Sequence, residues 1–251
     1  MSSTSPALAG RIALVTGSAR GLGAGLARAL AAQGAAVAIH YRKSREEAER
    51  LVAALRAEGH SAAAFQADVT RWAEVCRLRD ALLERFGRLD ILVNNVGEFI
   101  EKPWGSFTPE EWEEMLASNL TSVYYTCQAF WATLVAQKWG RIINIGLASS
   151  DHIHAYRDVL PYAIAKTGVL ILSKSLAVEG APHRITVNVL APGLMNNGTL
   201  SETAQQAVAE RVPGGRPGNS TDLATALTFL CSDNAAYITG AQIPVSGGWG
   251  L

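Results

Sequence analysis

Residues 13–30, "ALVTGSARGLGAGLARAL", carry a short apolar run through Gly17, Gly21 and Gly23 straight into a helical pattern. An apolar run of this length, ended by glycine, reads as a buried strand, and the periodic stretch after it as a helix. Small residues at such a junction let backbone N–H groups approach a pyrophosphate, and the helix N-terminus adds roughly half a positive charge. The spacing is G-x-x-x-G-x-G, so it departs from the G-x-G-x-x-G dinucleotide fingerprint. A tight strand-to-helix connection would need the same glycines. Their place after the first strand favours nucleotide binding.

Outward from this unit the alternation repeats. Strand-like runs follow at 35–41 "AAVAIHY", 62–68 "AAAFQAD", 89–95 "LDILVNN", 140–146 "GRIINIG", 185–193 "ITVNVLAPG" and 241–248 "AQIPVSGG". Helical stretches such as 23–34 "GAGLARALAAQG" and 44–59 "SREEAERLVAALRAEG" separate them. This order predicts an α/β fold, a doubly wound parallel sheet of Rossmann type with helices on both faces. No linker, charge run or repeat divides the chain, so residues 10–251 read as one domain after a short disordered start at 1–9. Thr108-Pro109-Glu110-Glu111 supplies an N-cap, a proline at N1 and an acid at N3, while Gly34 and Gly59 close helical patterns.

Of 251 residues, 49% are apolar, ample for a large core, and the 22 basic and 22 acidic residues cancel. With no net field, neither nucleic acid nor an acidic membrane surface is an expected partner. Cys76, Cys127 and Cys231 lack CxxC spacing and read as core thiols. No apolar run is long enough to span a bilayer, which reads as a cytoplasmic protein acting on small molecules or associating with its own copies. Four of the six tryptophans fall between 104 and 139, as core or subunit-interface aromatics.

In 160–168, "LPYAIAKTG", Tyr162 precedes Lys166 by four positions. On a helix these side chains share a face, which makes the phenol a poised acid. Lowering its pKa from near 10 to about 7 takes roughly 4 kcal/mol, about what an ammonium at ~4 Å supplies at an effective dielectric of ~20. The same spacing also arises by chance, so the rest of the chain must decide.

"TGSARGLG" at 16–23, "NNVG" at 94–97, Asn119 in "ASNL", "YAIAK" at 162–166 and "APG" at 191–193 occur in the order found in single-domain short-chain dehydrogenases/reductases. The chain resembles that family, in its 3-oxoacyl-carrier-protein-reductase-like branch, from about residue 10 to its end. The resemblance implies hydride transfer between nicotinamide and a carbonyl or secondary-alcohol substrate in a homotetramer. It makes Tyr162 the general acid/base, gives Lys166 the nicotinamide ribose, and has the Asn119 backbone keep a relay water. It implies cofactor contacts at Gly17, Arg20, Gly21, Leu22, Gly23, Asp68, Val69, Asn95, Gly97, Pro192 and Gly193, besides Tyr162 and Lys166, with Asn94 supporting the strand beneath.

The end of the second strand, where an acid favours NAD and a base NADP, reads "AIHYRKS". Tyr41 takes the acidic position, and Arg42, Lys43 and Arg20 offer cations to a 2′-phosphate, so the expected cofactor is NADP.

The family also has a serine 13 residues before its tyrosine, just after the fifth strand. Counting back reaches Ser149, whereas strand alignment puts Leu147 there and leaves two extra residues. Ser149 is the candidate, with Ser150 next. A runner-up reading is a nucleotide-binding sensor or interaction protein that has lost efficient catalysis. His152 and His154 read as loop histidines, and no metal site is expected. Asn197 stands where the family often has threonine, and Ser246 where it has aspartate.

Overall fold

The structure is a computed structural model describing residues 6–196, 198 and 201–250. Asn197 lies outside the described residues, as do positions 1–5 of the expected disordered start. Residues 6–9 are ordered: Leu8 is buried, and its N–H donates to the Gln33 carbonyl at 2.9 Å.

Seven parallel strands, β1 (Ile12–Val15), β2 (Ala36–Tyr41), β3 (Ala62–Gln66), β4 (Ile91–Asn94), β5 (Gly140–Ile145), β6 (Ile185–Pro192) and β7 (Gln242–Val245), pair in the order β3-β2-β1-β4-β5-β6-β7. All seven coincide with the runs read from the sequence. Helices α1 (Gly21–Ala32), α2 (Arg45–Ala57), α3 (Trp72–Phe86), α4 (Pro109–Leu116), α5 (Ser122–Gln137), α6 (Leu160–Gly180), α7 (Glu202–Arg211) and α8 (Ser220–Cys231) form the connections. The sheet is doubly wound, as expected of a Rossmann-type fold.

Alternation along each strand divides the core. Ala13 and Val15 of β1 join Leu26 and Leu30 of α1, Leu51 and Leu55 of α2, and Leu223 and Leu227 of α8 on one face. Ile12 and Leu14 join Leu78 and Leu82 of α3, Phe130 and Leu134 of α5, and Val169 of α6 on the other. Because strand side chains point alternately to opposite faces, a parallel strand covered by helices on both sides must be apolar throughout, as β1 is.

The predicted helix ends hold. Thr108 and Glu111 form a reciprocal capping box at α4, and Gly34 and Gly59 adopt φ of 90° and 86° after α1 and α2. Strand order reverses between β1 and β4, opening a crevice at their carboxyl ends where this architecture seats ligands.

Candidate active site

The glycine loop forms one wall of the crevice. Gly17 and Gly21 have φ of 63° and 56°, a region costly for residues with a side chain. Gly23 lies so close to the loop that a Cβ on it would sit 2.5 Å from the Gly17 carbonyl oxygen and 2.6 Å from Asn95 Nδ2. The N-cap of α1, Arg20, makes no side-chain capping bond, so the first N–H groups of α1 remain open toward the crevice.

Asn95 fastens this wall to β4: its Nδ2 donates to the Thr16 carbonyl at 2.9 Å, and its N–H to Thr16 Oγ1 at 2.9 Å. Asn94 faces inward, donating to Asn144 Oδ1 at 2.8 Å and accepting from Thr126 Oγ1 at 2.6 Å, which clamps β4, β5 and α5.

In the sequence His40 reads only as one residue of a strand, and local pattern carries no sign of its role. Its buried Nδ1 accepts from the Gly17 N–H at 2.9 Å, and Nε2 lies 3.0 Å from the Ala67 carbonyl. Accepting at Nδ1 places the proton on Nε2, and burial pulls the imidazole down to about 4, so it is neutral at physiological pH. His40 thereby ties the glycine loop to β2 and the end of β3. The residues involved lie 23 and 27 positions from it, beyond the reach of local pattern.

Around the adenosine end, Val69 is buried and Asp68 accepts from Thr70 N and Oγ1 at 3.0 and 2.6 Å. Burial works against the Asp68 charge, but the Thr70 hydrogen bonds, Arg42 and Arg71 hold its carboxyl below the usual range. Tyr41 is buried in the apolar cluster with α1 and α2. Arg20 and Lys43 are exposed and form no ion pair among the described residues, whereas Arg42 is paired.

Tyr162 and Lys166 share one face of α6. Lys166 Nζ is buried and donates to the Ile145 carbonyl at 2.8 Å, while lying 5.4 Å from the centroid of the Tyr162 ring. Phe99, more than half exposed, stands edge-on to that ring at 5.1 Å. The helical spacing indeed brings the pair together, yet burial works against the expected lowering of the phenol. Burial pushes Tyr162 up to about 12 and Lys166 down to about 8. The ammonium is anchored on a backbone carbonyl, and at neutral pH the phenol keeps its proton.

Asn119 sits in a five-residue π-helical turn, Ala117–Thr121, between α4 and α5. Such bulges insert an extra residue and re-aim a side chain. Its Nδ2 donates to the Glu98 and Met115 carbonyls at 2.9 and 3.1 Å, while its buried Oδ1 has no partner. That orphaned oxygen faces Gly97, where a Cβ would collide with it and would lie 3.5 Å from Lys166 Nζ. Gly193, after β6, is similarly crowded: its Cβ would meet Ser246 Cα at 2.8 Å.

Past β5, the two extra residues form a tight turn in which Ser149 takes φ of 71°. Its hydroxyl lies 3.4 Å from the Tyr156 hydroxyl, and the Ser150 hydroxyl donates to Gln242 Oε1 at 3.1 Å. Among the described residues, no hydrogen bond joins either serine to Tyr162. Leu147 is buried. His154 packs on Tyr156, with centroids 4.1 Å apart, and no cluster of three potential metal ligands occurs among the described residues.

Residues 17–250 match the family described as Enoyl-(Acyl carrier protein) reductase. The chain belongs to the short-chain dehydrogenase/reductase family. It is 38% identical over 249 residues to 3beta-hydroxysteroid dehydrogenase 1 of Eggerthella lenta, covering 97% of this chain and 95% of that one. It is 38% identical over 242 residues to 3-oxoacyl-(acyl-carrier-protein) reductase FabG of Haemophilus influenzae, covering 95% and 98%. Among solved structures, a gluconate 5-dehydrogenase from Burkholderia cenocepacia in complex with NADP and tartrate superposes with a TM-score of 0.89 at 35% identity, covering 97% and 96%. As a short-chain dehydrogenase/reductase, the chain is an oxidoreductase. No helix among its described residues is long and apolar enough to cross a membrane.

Proposed function

We propose that this protein is an NADP(H)-dependent reductase of carbonyl compounds, reversible toward secondary alcohols, with Tyr162 as proton donor. The observation carrying the reading is the convergence of Tyr162, Lys166 and the unpartnered Asn119 oxygen beside Gly97, at the end of the crevice that the glycine loop opens. The residues fit a dinucleotide. Glycines leave room for its backbone, the open end of α1 suits a pyrophosphate, and Lys166 and Asn119 have hydrogen-bonding capacity to spare. Exposed Arg20 and Lys43, with Arg42, suit a 2′-phosphate, and the NADP complex of the gluconate 5-dehydrogenase supports this cofactor.

A bound nicotinamide dinucleotide supplies the hydride. The chain supplies the proton. With its pKa near 12, Tyr162 is fully protonated at neutral pH and donates to the carbonyl oxygen as negative charge develops there. The protonated Lys166 stabilises the phenolate left behind, and its anchor on Ile145 fixes where that charge sits. The Asn119 backbone keeps the relay water that returns a proton to the pair, and its unpartnered Oδ1 adds an acceptor beside it. In the alcohol-oxidising direction the phenolate takes that proton back, the same step in reverse.

Ile164, Ile171 and Val178, exposed at seven-residue intervals along α6, support the expected homotetramer. A solution mass of one chain would contradict it.

A second reading, a nucleotide-binding protein with weak catalysis, draws on the pairing of Ser149 with Tyr156 and the burial of Leu147. Incubating the purified protein with NADPH and a panel of ketones, including 3-ketosteroids and 3-oxoacyl thioesters, separates the two. Sustained NADPH oxidation on at least one ketone supports the reductase. NADPH binding without turnover on any of them supports the second reading.

A further inference from the structure

Sheet order puts β1 between β2 and β4, so the ends of β2 and β4 stand about 10 Å apart across the glycine loop. Arg42 follows β2 and Glu98 follows β4, yet Arg42 Nη2 lies 3.7 Å from Glu98 Oε1. This ion pair therefore bridges the crevice above the end of β1. On its other side, the Arg42 guanidinium lies 4.0 Å from Asp68 Oδ2, just past β3. Glu98 is held in place from both ends of its backbone: its N–H donates to Ser118 Oγ at 3.4 Å, and its carbonyl accepts from Asn119 Nδ2 at 2.9 Å. The guanidinium that the sequence offers to a 2′-phosphate is thus shared between two carboxylates.

We propose that Glu98 is a specificity-determining residue, a carboxylate supplied from β4 that restrains the preference for a 2′-phosphate created by Arg42. The inference rests on the NADP(H) reading of the crevice. A phosphomonoester carries nearly two negative charges at neutral pH. To reach Arg42 it must displace the Glu98 carboxylate and then remain beside it. A 2′-hydroxyl carries no charge and meets no such repulsion. The Arg42–Glu98 pair is itself half-exposed, and such pairs contribute little on their own. Its effect falls on the incoming dianion rather than on folding.

The test is a titration of wild type, Glu98→Gln and Glu98→Lys with NADPH, NADH, 2′,5′-ADP and 5′-AMP, followed by tryptophan fluorescence at low and raised salt. Thermal unfolding confirms that each variant is folded. Glu98→Gln should bind NADPH and 2′,5′-ADP about threefold to tenfold more tightly at low salt, with a smaller gain at high salt. NADH and 5′-AMP should change less than about twofold, and Glu98→Lys should exceed Glu98→Gln in the same direction. Unchanged NADPH affinity in both variants, or an equal gain for all four ligands, overturns the assignment. A wild type that prefers NADH, with Glu98→Gln still gaining affinity for 2′,5′-ADP, overturns the NADP reading and keeps the role of Glu98. A wild type that prefers NADPH, with both variants unmoved, does the reverse.

Discussion

Lys166→Met tests the electrostatics of the catalytic pair, because methionine matches the length of the lysine stem and removes the charge. Lys166 Nζ lies 5.4 Å from the Tyr162 ring centroid, where an ammonium stabilises a phenolate by about 3 kcal/mol at an effective dielectric of ~20. That is about a hundredfold in the rate of a step that leaves a phenolate behind. Burial lowers Lys166 from its ordinary value to about 8, so the ammonium is present at neutral pH and lost as pH rises through that value. Wild-type carbonyl reduction should therefore be level below pH 8 and fall above it, toward a plateau about a hundredfold lower. Lys166→Met should sit near that low plateau at every pH, with no alkaline limb of its own. The assay is the single-turnover loss of NADPH absorbance with saturating ketone, from about pH 6 to about pH 10. A level wild-type profile across this range, or an alkaline limb that survives in Lys166→Met, would refute the reasoning.

Gly23→Ala would place a Cβ 2.5 Å from the Gly17 carbonyl oxygen, a backbone atom that cannot step aside, so the loop must shift. Overpacking of this kind costs ~1–3 kcal/mol, and NADPH affinity should drop about tenfold or more by fluorescence titration. His40→Ala leaves the buried Ala67 carbonyl without its partner, at about 1–3 kcal/mol, and the half-buried Gly17 N–H as well, at a smaller cost. It should lower both the unfolding midpoint and NADPH affinity, and His40→Asn, which keeps an acceptor and a donor, should recover part of each. For the carbonyl-binding role, Ser149→Ala should cost about a hundredfold in kcat if Ser149 turns from Tyr156 to the substrate oxygen when substrate binds. Wild-type rates in both Ser149→Ala and Ser150→Ala would mean that neither serine acts here and that Tyr162 polarises the carbonyl without that help.

Much of this architecture could be read directly from the chain because its signals are local. Seven apolar runs became the seven strands, and Thr108 with Glu111 formed the capping box, since propensity and period act over a few residues. The spacing of Tyr162 and Lys166 likewise requires only helical geometry. What escaped depends on contacts across the sheet. His40 reads as one more residue of a buried strand until Gly17 is brought against it. Glu98 stands 56 positions after Arg42, and nothing local announces their pairing. The expected lowering of the phenol counted proximity without burial, which pushes Tyr162 the other way. The turn holding Ser149 depended on how two extra residues would fold, and they closed toward Tyr156.

The most direct measurement is the single-turnover rate of hydride transfer from NADPH in Tyr162→Phe, taken with the dissociation constant for NADPH on the same preparation. Phenylalanine keeps the ring that packs against Phe99 and removes only the hydroxyl. The rate should fall about a hundred- to ten-thousandfold, the range for loss of a positioned general acid, with NADPH affinity changed less than about twofold. A Tyr162→Phe protein that transfers hydride at the wild-type rate would contradict the assignment of Tyr162 as proton donor.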